Sequence, residues 1–228
     1  GGTDLPSYYS KYGGFILSAA INKYVFINLN RLPVDSSLRI LYSKSEIVTS
    51  VEEIRHPLVR ESLKWTGVDG GLEIASMADV PSGTGLGSSG SYLVALLTAL
   101  HALKREHIPT QELAEEACTI EIDLAGQPVG KHDQYLAAFG GIICLNIETS
   151  GRVTVSPLRI SPYTLEELRN STLLFYTGIV RRSFDILDAQ NKDTDRGDKE
   201  VIESLHLTKA LGLEIKKALE SDDLNRFG

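Results

Sequence analysis

Residues 83–91 read GTGLGSSGS, and within them Gly85 to Gly90 spell G-x-G-x-x-G. The stretch follows a strand-like segment, GLEIASMADV (71–80), and opens an apolar run. A dinucleotide site needs more than these glycines. It needs a second strand ending in an acidic residue about 20 residues on, where the ribose hydroxyls are held. Here the apolar run continues to Arg105, and EHIPTQELAEEA then starts another helix. A nicotinamide oxidoreductase therefore lacks its context. A Walker A loop fails as well, because no lysine follows Gly87 in the required frame. Two readings remain. One is a glycine-rich turn that caps a helix. The other is an anion site in which left-handed glycines converge their amides just before a helix N-terminus. Gly83, Gly85, Gly87 and Gly90, with Ser88 and Ser89 among them, exceed what a cap requires.

Working outward, the apolar positions Leu93, Val94, Leu96, Leu97, Leu100 and Leu103 predict a helix over 88–105, buried on more than one side. Alternation predicts strands at 24–30, 38–44 and 71–80, and a further strand at 171–178. IICLNIE and GRVTVSPLRI read as a hairpin. Helices are expected over 50–65, 110–124 (with Thr110 as N-cap) and 132–139, and the chain after 178 reads as helical and charged. Residues 1–14 read as an ordered loop, and Phe15 opens a helix or a strand. The class is α+β. A composition shift at 157–170 predicts two domains, 1–160 and 161–228.

The 228 residues are 42% hydrophobic and 23% charged, with a formal net charge of −7. That balance argues against nucleic acid or acidic membranes as general partners, since neither meets a basic stripe. It leaves a local phosphate pocket open. No apolar run has the length of a membrane span, and Cys118 and Cys144 form no C-x-x-C. The expected setting is cytoplasmic; oligomeric state is not legible. The chain begins without methionine and is expected to be part of a longer protein. His101 and Trp65 read as packing residues.

One carboxylate stands out. At 100° per residue, Leu113, Ala114, Ala117, Cys118, Ile120 and Leu124 form an apolar arc, and Glu121 falls inside it between Ala117 and Ala114. A desolvated carboxylate costs several kcal/mol unless paired or bound to a cation. A core salt bridge, a misplaced helix boundary and a magnesium ligand all satisfy that requirement. Asp133, in GQPVGKHDQYLAAFGG, opens a short helix, where simple capping explains it. Lys131 two residues earlier would keep it ionised, as a base requires.

Three segments together resemble the GHMP sugar and small-molecule kinases: PSGTGLGSSGSY, Glu121 followed twelve residues later by Asp133 in GKHDQ, and the opening GGTDLPSYYSKYGG. The opening segment is similar to the heptose/fucose branch, and the likeness extends to LLFYTGIVRRS. The resemblance implies a two-domain α+β fold, here lacking the first strand and much of the C-terminal domain. It implies ATP and Mg2+ as cofactors. Pro81, Gly83, Gly85, Leu86, Gly87, Ser88 and Ser89 would wrap the ATP phosphates. Ser89 and Glu121 would hold the metal, and Asp133, with Lys131, would serve the attacking hydroxyl. Gly2, Thr3 and Asp4 would hold sugar hydroxyls, and Arg181 and Arg182 a sugar phosphate. The implied substrate is D-glycero-D-manno-heptose 7-phosphate, phosphorylated at its anomeric hydroxyl. L-fucose or another free sugar is the alternative, and a catalytically silent sugar or nucleotide sensor on the same fold is a third reading.

Overall fold

The computed structural model describes residues 2–175 and 183–227, and side chains throughout except at 183–186. Along the chain run α1 (Pro6–Tyr12), β1 (Gly14–Ala19), β2 (Val25–Arg31), β3 (Leu38–Leu41), β4 (Ser45–Val48), α2 (Pro57–Thr66) and β5 (Leu72–Ala78). They are followed by α3 (Ser88–Lys104), α4 (Thr110–Cys118), a π-helical turn (Thr119–Leu124), α5 (Asp133–Phe139), β6 (Ile142–Ile147) and β7 (Val153–Pro157). The last helices are α6 (Pro162–Ser171), α7 (Ser183–Asp195), α8 (Lys199–Glu220) and α9 (Leu224–Phe227). The expected α+β class is the class observed.

Packing divides the chain into two units. One comprises Gly1–Ile21, Gly130–His132 and Gly140–Gly228; the other comprises Asn22–Val129 and Asp133–Phe139. The division follows contacts and cuts across the sequence boundary at 160/161. The first unit joins the N-terminal segment to everything after Gly140.

In the first unit β1, β6 and β7 form an antiparallel sheet in the order β1-β6-β7. Phe15, Cys144, Leu158 and Leu219 make its core. Gly212 lets α8 approach this sheet closely, since a β-carbon there would stand 3.1 Å from the Phe15 ring. The segment read as a loop contains α1, with Pro6 in its first turn, where the missing amide costs nothing. Lys209 donates to the carbonyls of Tyr12 (2.8 Å) and Gly13 (3.0 Å) at its end.

The second unit is built on a mixed sheet in the order β2-β5-β3-β4, with β3 and β5 parallel and the other pairs antiparallel. Helix α3 is buried on two sides, as its leucine spacing predicts. Leu96 and Leu100 join Leu38, Ile40, Leu72 and Ile74 from the sheet, while Leu93 and Leu97 meet Ala117 and Ile120. Burial of each such leucine contributes about 1.5–3 kcal/mol.

Several local expectations are corrected. The helix over 50–65 is a short 3₁₀ turn, Val51–Glu53, then α2 from Pro57, because a proline cannot continue a helix it does not begin. Thr110 is the first residue of α4 rather than its cap; Pro109 holds that place. Residues 172–175, within the expected strand 171–178, are irregular, and 176–178 lie outside the described residues. Trp65 is 45% exposed and is not a packing residue. His101 is buried, with Nδ1 3.0 Å from Glu106 and Nε2 2.8 Å from Glu116. Among the described residues no helix is long and apolar enough to cross a membrane.

Candidate active site

The second unit assembles a glycine loop, a helix start and two carboxylates. Between β5 and α3 the chain makes a series of bends in which Gly83, Gly85 and Gly87 all take positive φ, at 79°, 75° and 70°. Gly87 sits at the N-cap position of α3 in the left-handed conformation, ψ 30°. A β-carbon there costs about 1–2 kcal/mol. No side chain caps α3, so its first-turn amides lack intrahelical partners and present partial positive charge. Ser88 and Ser89 form that turn half-buried, beside half-buried Leu86 and exposed Pro81.

Gly90 has a different task. A β-carbon on it would lie 2.7 Å from Asp133 Cβ and 2.9 Å from both the Asp133 carbonyl carbon and the Gln134 nitrogen. At Gly87 it would lie 3.0 Å from Asp133 Cγ. The absence of both β-carbons is what seats the start of α5, with Asp133 as its first residue, against the start of α3. Gly90→Ala is expected to destabilise the protein by about 1–3 kcal/mol, the typical cost of overpacking, because backbone has to move. Urea denaturation of the variant measures this, and a stability within 0.5 kcal/mol of the parent would contradict the packing account.

Glu121 lies in the π-helical turn that continues α4 without a break. The Ala125 amide donates to the Ile120 carbonyl at 2.8 Å, spanning five residues. Such turns concentrate at functional sites. The wider turn keeps Glu121 inside, 1% exposed, and swings Leu124 out to 47% exposure, so Leu124 leaves the arc that straight-helix geometry assigned it. Gln134 Nε2 donates to Glu121 Oε2 at 2.7 Å, whereas Oε1 is buried with no protein partner. Burial pushes the Glu121 carboxyl above its ordinary range; the Ser89 hydroxyl and the Gln134 amide pull it down, and the Asp133 charge pushes it up again. Ser89, Glu121, Asp133 and Gln134 are therefore one electrostatic neighbourhood.

Gln134 and Tyr135 were not among the candidates from sequence. Tyr135 is fully buried and donates to Glu115 while accepting from Gln111 Nε2 at 2.8 Å, which ties α5 to α4. Burial first, then the Glu115 carboxylate, holds its hydroxyl far above the usual phenol range. A signal for Gln134 exists in the sequence: with Ala137 and Ala138 it lies at the i, i+3, i+4 spacing of one helix face. That face packs inward.

In the first unit Gly2 makes an isolated bridge with Ile16, and a β-carbon on it would reach within 2.3 Å of the Phe15 carbonyl oxygen. Thr3 is buried, its backbone amide bonds the Phe15 carbonyl at 3.2 Å, and its hydroxyl accepts from the Phe15 amide at 3.1 Å. Both residues are thus committed to holding the opening segment on β1. Asp4 stands against Gly130, where a β-carbon would come within 2.1 Å of its Oδ2. Lys131 donates to the Gly151 carbonyl at 3.0 Å, and His132 Nε2 lies 2.5 Å from the Ser18 hydroxyl. Arg181 and Arg182 lie outside the described residues. Among the described residues no group of three His, Cys, Asp or Glu side chains could hold a metal ion by protein ligands alone.

Comparison with known proteins bears on this arrangement. Residues 49–141 match the GHMP kinases N terminal domain family. The chain is 30% identical over 240 aligned residues to the D-glycero-alpha-D-manno-heptose 7-phosphate kinase of Campylobacter jejuni, covering 96% of this chain and 67% of that protein. Against the mevalonate kinase of Archaeoglobus fulgidus it is 32% identical, covering 57% of this chain and 45% of the relative. The fold superposes with TM-score 0.82 and 25% identity on a crystal structure described as a D-glycero-D-manno-heptose 1-phosphate kinase from Bacteroides thetaiotaomicron, covering all of this chain and 71% of that one. The class so defined is a phosphotransferase whose phosphate donor is ATP. The chain belongs to the GHMP kinases.

Proposed function

We propose that this chain carries the nucleotide and catalytic half of an ATP-dependent sugar kinase whose acceptor is the anomeric hydroxyl of D-glycero-D-manno-heptose 7-phosphate. The observation that carries the reading is Glu121: a 1%-exposed carboxylate with an unpartnered oxygen, electrostatically coupled to Ser89 and Asp133. Support for the acceptor comes from the two heptose kinase relatives. Their names place the phosphate at different positions, and what they share is a phosphorylated heptose.

Phosphoryl transfer asks chiefly for alignment and charge neutralisation. The residues Pro81–Ser89 cradle the triphosphate with loop amides and the open start of α3. The donor set suits magnesium, which takes one or two carboxylates, a hydroxyl and phosphate oxygens. Two buried oxygens, Glu121 Oε1 and Gln134 Oε1, still need a cation or a donor. Ser89 and Glu121 would hold Mg2+, which supplies charge to offset the transferring phosphoryl group. Asp133 orients the acceptor hydroxyl and takes its proton. Asp4 accepts from a sugar hydroxyl, with Thr3 and Gly2 fixing its segment. Arg181 and Arg182 grip the sugar phosphate. Use of ATP and the two buried thiols, Cys118 and Cys144, accord with a cytoplasmic enzyme.

The test is ADP release by the intact protein on a panel of phosphorylated and free sugars with Mg·ATP. Turnover on the heptose 7-phosphate at a kcat/KM at least tenfold above free heptose and L-fucose is expected. Preference for a free sugar would reject the phosphorylated acceptor. Tight nucleotide binding without turnover on any sugar would make the protein a sensor.

A further inference from the structure

Gln134 is the side chain in this neighbourhood that the reaction as described leaves without a task. It is 1% exposed, it follows Asp133 directly on the first turn of α5, and its amide nitrogen meets Glu121 Oε2 at 2.7 Å. Its own carbonyl oxygen is buried and accepts nothing. Burying an amide with half its hydrogen-bonding capacity unmet is destabilising. A core that sought only stability would place an apolar residue at this buried position. The orientation of the amide is not free either. An ionised carboxylate only accepts, so the NH2 must face Glu121 and the carbonyl oxygen must face away.

We propose that Gln134 is a positioning residue for phosphoryl transfer, resting on the kinase reading above. By donating to Oε2 it fixes the rotation of the Glu121 carboxylate and leaves Oε1 as the oxygen offered to the cation. The same backbone turn carries Asp133, whose seat against Gly87 and Gly90 is itself tight. One turn of α5 thus sets both carboxylates, and the metal-facing oxygen cannot drift without disturbing the acceptor-facing group. The buried Gln134 carbonyl oxygen is an acceptor for the water that a hydrated magnesium ion brings with it.

The experiment uses the intact protein and two near-isosteric variants, Gln134→Glu, which replaces the donor with an acceptor, and Gln134→Met, which removes both polar atoms. Each is first shown to be folded by its melting transition. Mn2+ binding to the complex with a non-hydrolysable ATP analogue is followed by electron paramagnetic resonance, and steady-state kinetics are measured across Mg2+ concentrations. Expected are a Mn2+ dissociation constant raised at least fivefold, half-saturating Mg2+ raised to match, kcat lowered at least tenfold at limiting Mg2+, and sugar KM within about twofold. Excess Mg2+ should recover part of the loss, which a merely structural defect would not allow. Unchanged Mn2+ affinity in whichever variant folds overturns the proposal, as does a defect confined to sugar KM. The kinase reading fails differently: the parent protein itself would then release no sugar-dependent ADP.

Discussion

Asp133→Asn is expected to lower kcat about a thousandfold while leaving the nucleotide dissociation constant within about threefold, because a positioned general base contributes roughly 10²–10⁴ to a proton-transfer step. Asparagine is the informative replacement. The Asp133 side chain is wedged where β-carbons on Gly87 and Gly90 would collide with it, so an isosteric amide preserves the contact between α3 and α5. Alanine would confound lost chemistry with a void. The amide cannot take a proton from the acceptor hydroxyl, and it removes a negative charge from beside Glu121, whose carboxyl Asp133 pushes upward. The variant should therefore bind the metal–nucleotide complex, melt no lower than the parent, and fail to turn over. Isothermal titration with an ATP analogue and a coupled ADP assay measure the two quantities separately. Retention of more than a tenth of kcat would remove Asp133 from the chemistry.

How much of this was legible beforehand depends on what each feature needed in order to be seen. Burial of α3 on more than one side was written in the spread of its apolar positions, which from Leu103 to Val94 cover roughly half the helix circumference, wide enough to meet two neighbours. Burial of Glu121 was legible for the same reason. The π-helical turn that carries it was not, because a wider turn follows from tertiary packing, and Leu124 was misplaced as a direct consequence. Pro6 and Pro57 were available signals for helix starts. In the first case a tyrosine- and glycine-rich context masked it, and in the second an assumed continuous helix over 50–65 did.

The opening motif shows a different limit. Thr3 and Asp4 are adjacent in sequence and were given one task, yet Thr3 is buried with its hydroxyl on the Phe15 amide, while Asp4 stands against Gly130. Local sequence cannot separate a residue that holds a segment from one the segment presents. Gln134 was missed because the contact that gives it a task, its donation to Glu121, joins residues 13 apart that no local spacing connects. In each case the missing information was a contact between residues distant in the chain.

Glu121→Gln should move stability and activity in opposite directions. Without metal or nucleotide, the folded protein holds a carboxyl whose burial pushes it above its ordinary value of 4.5, and the Asp133 charge adds to that push. The folded chain therefore keeps a proton that the unfolded chain releases. The stability contributed by this group is fully present below that ordinary value, which the unfolded chain keeps, and is lost as pH rises through the raised folded value. Above that folded value the parent bears the cost of an ionised, desolvated carboxylate. Glutamine removes that cost, so the metal-free variant should gain on the order of 1 kcal/mol, or about 2–4 °C in Tm. Its Tm should also fall less than the parent's between pH 5 and pH 8. With the carboxylate gone, Mg·ATP should raise the variant's Tm far less than the parent's, and kcat should drop at least a hundredfold, as for loss of a group that stabilises transition-state charge. Thermal melts at pH 5 and 8, with and without Mg·ATP analogue, give all four values. A metal-free Tm below the parent's at pH 8 would mean that Glu121 serves the fold and not a cation.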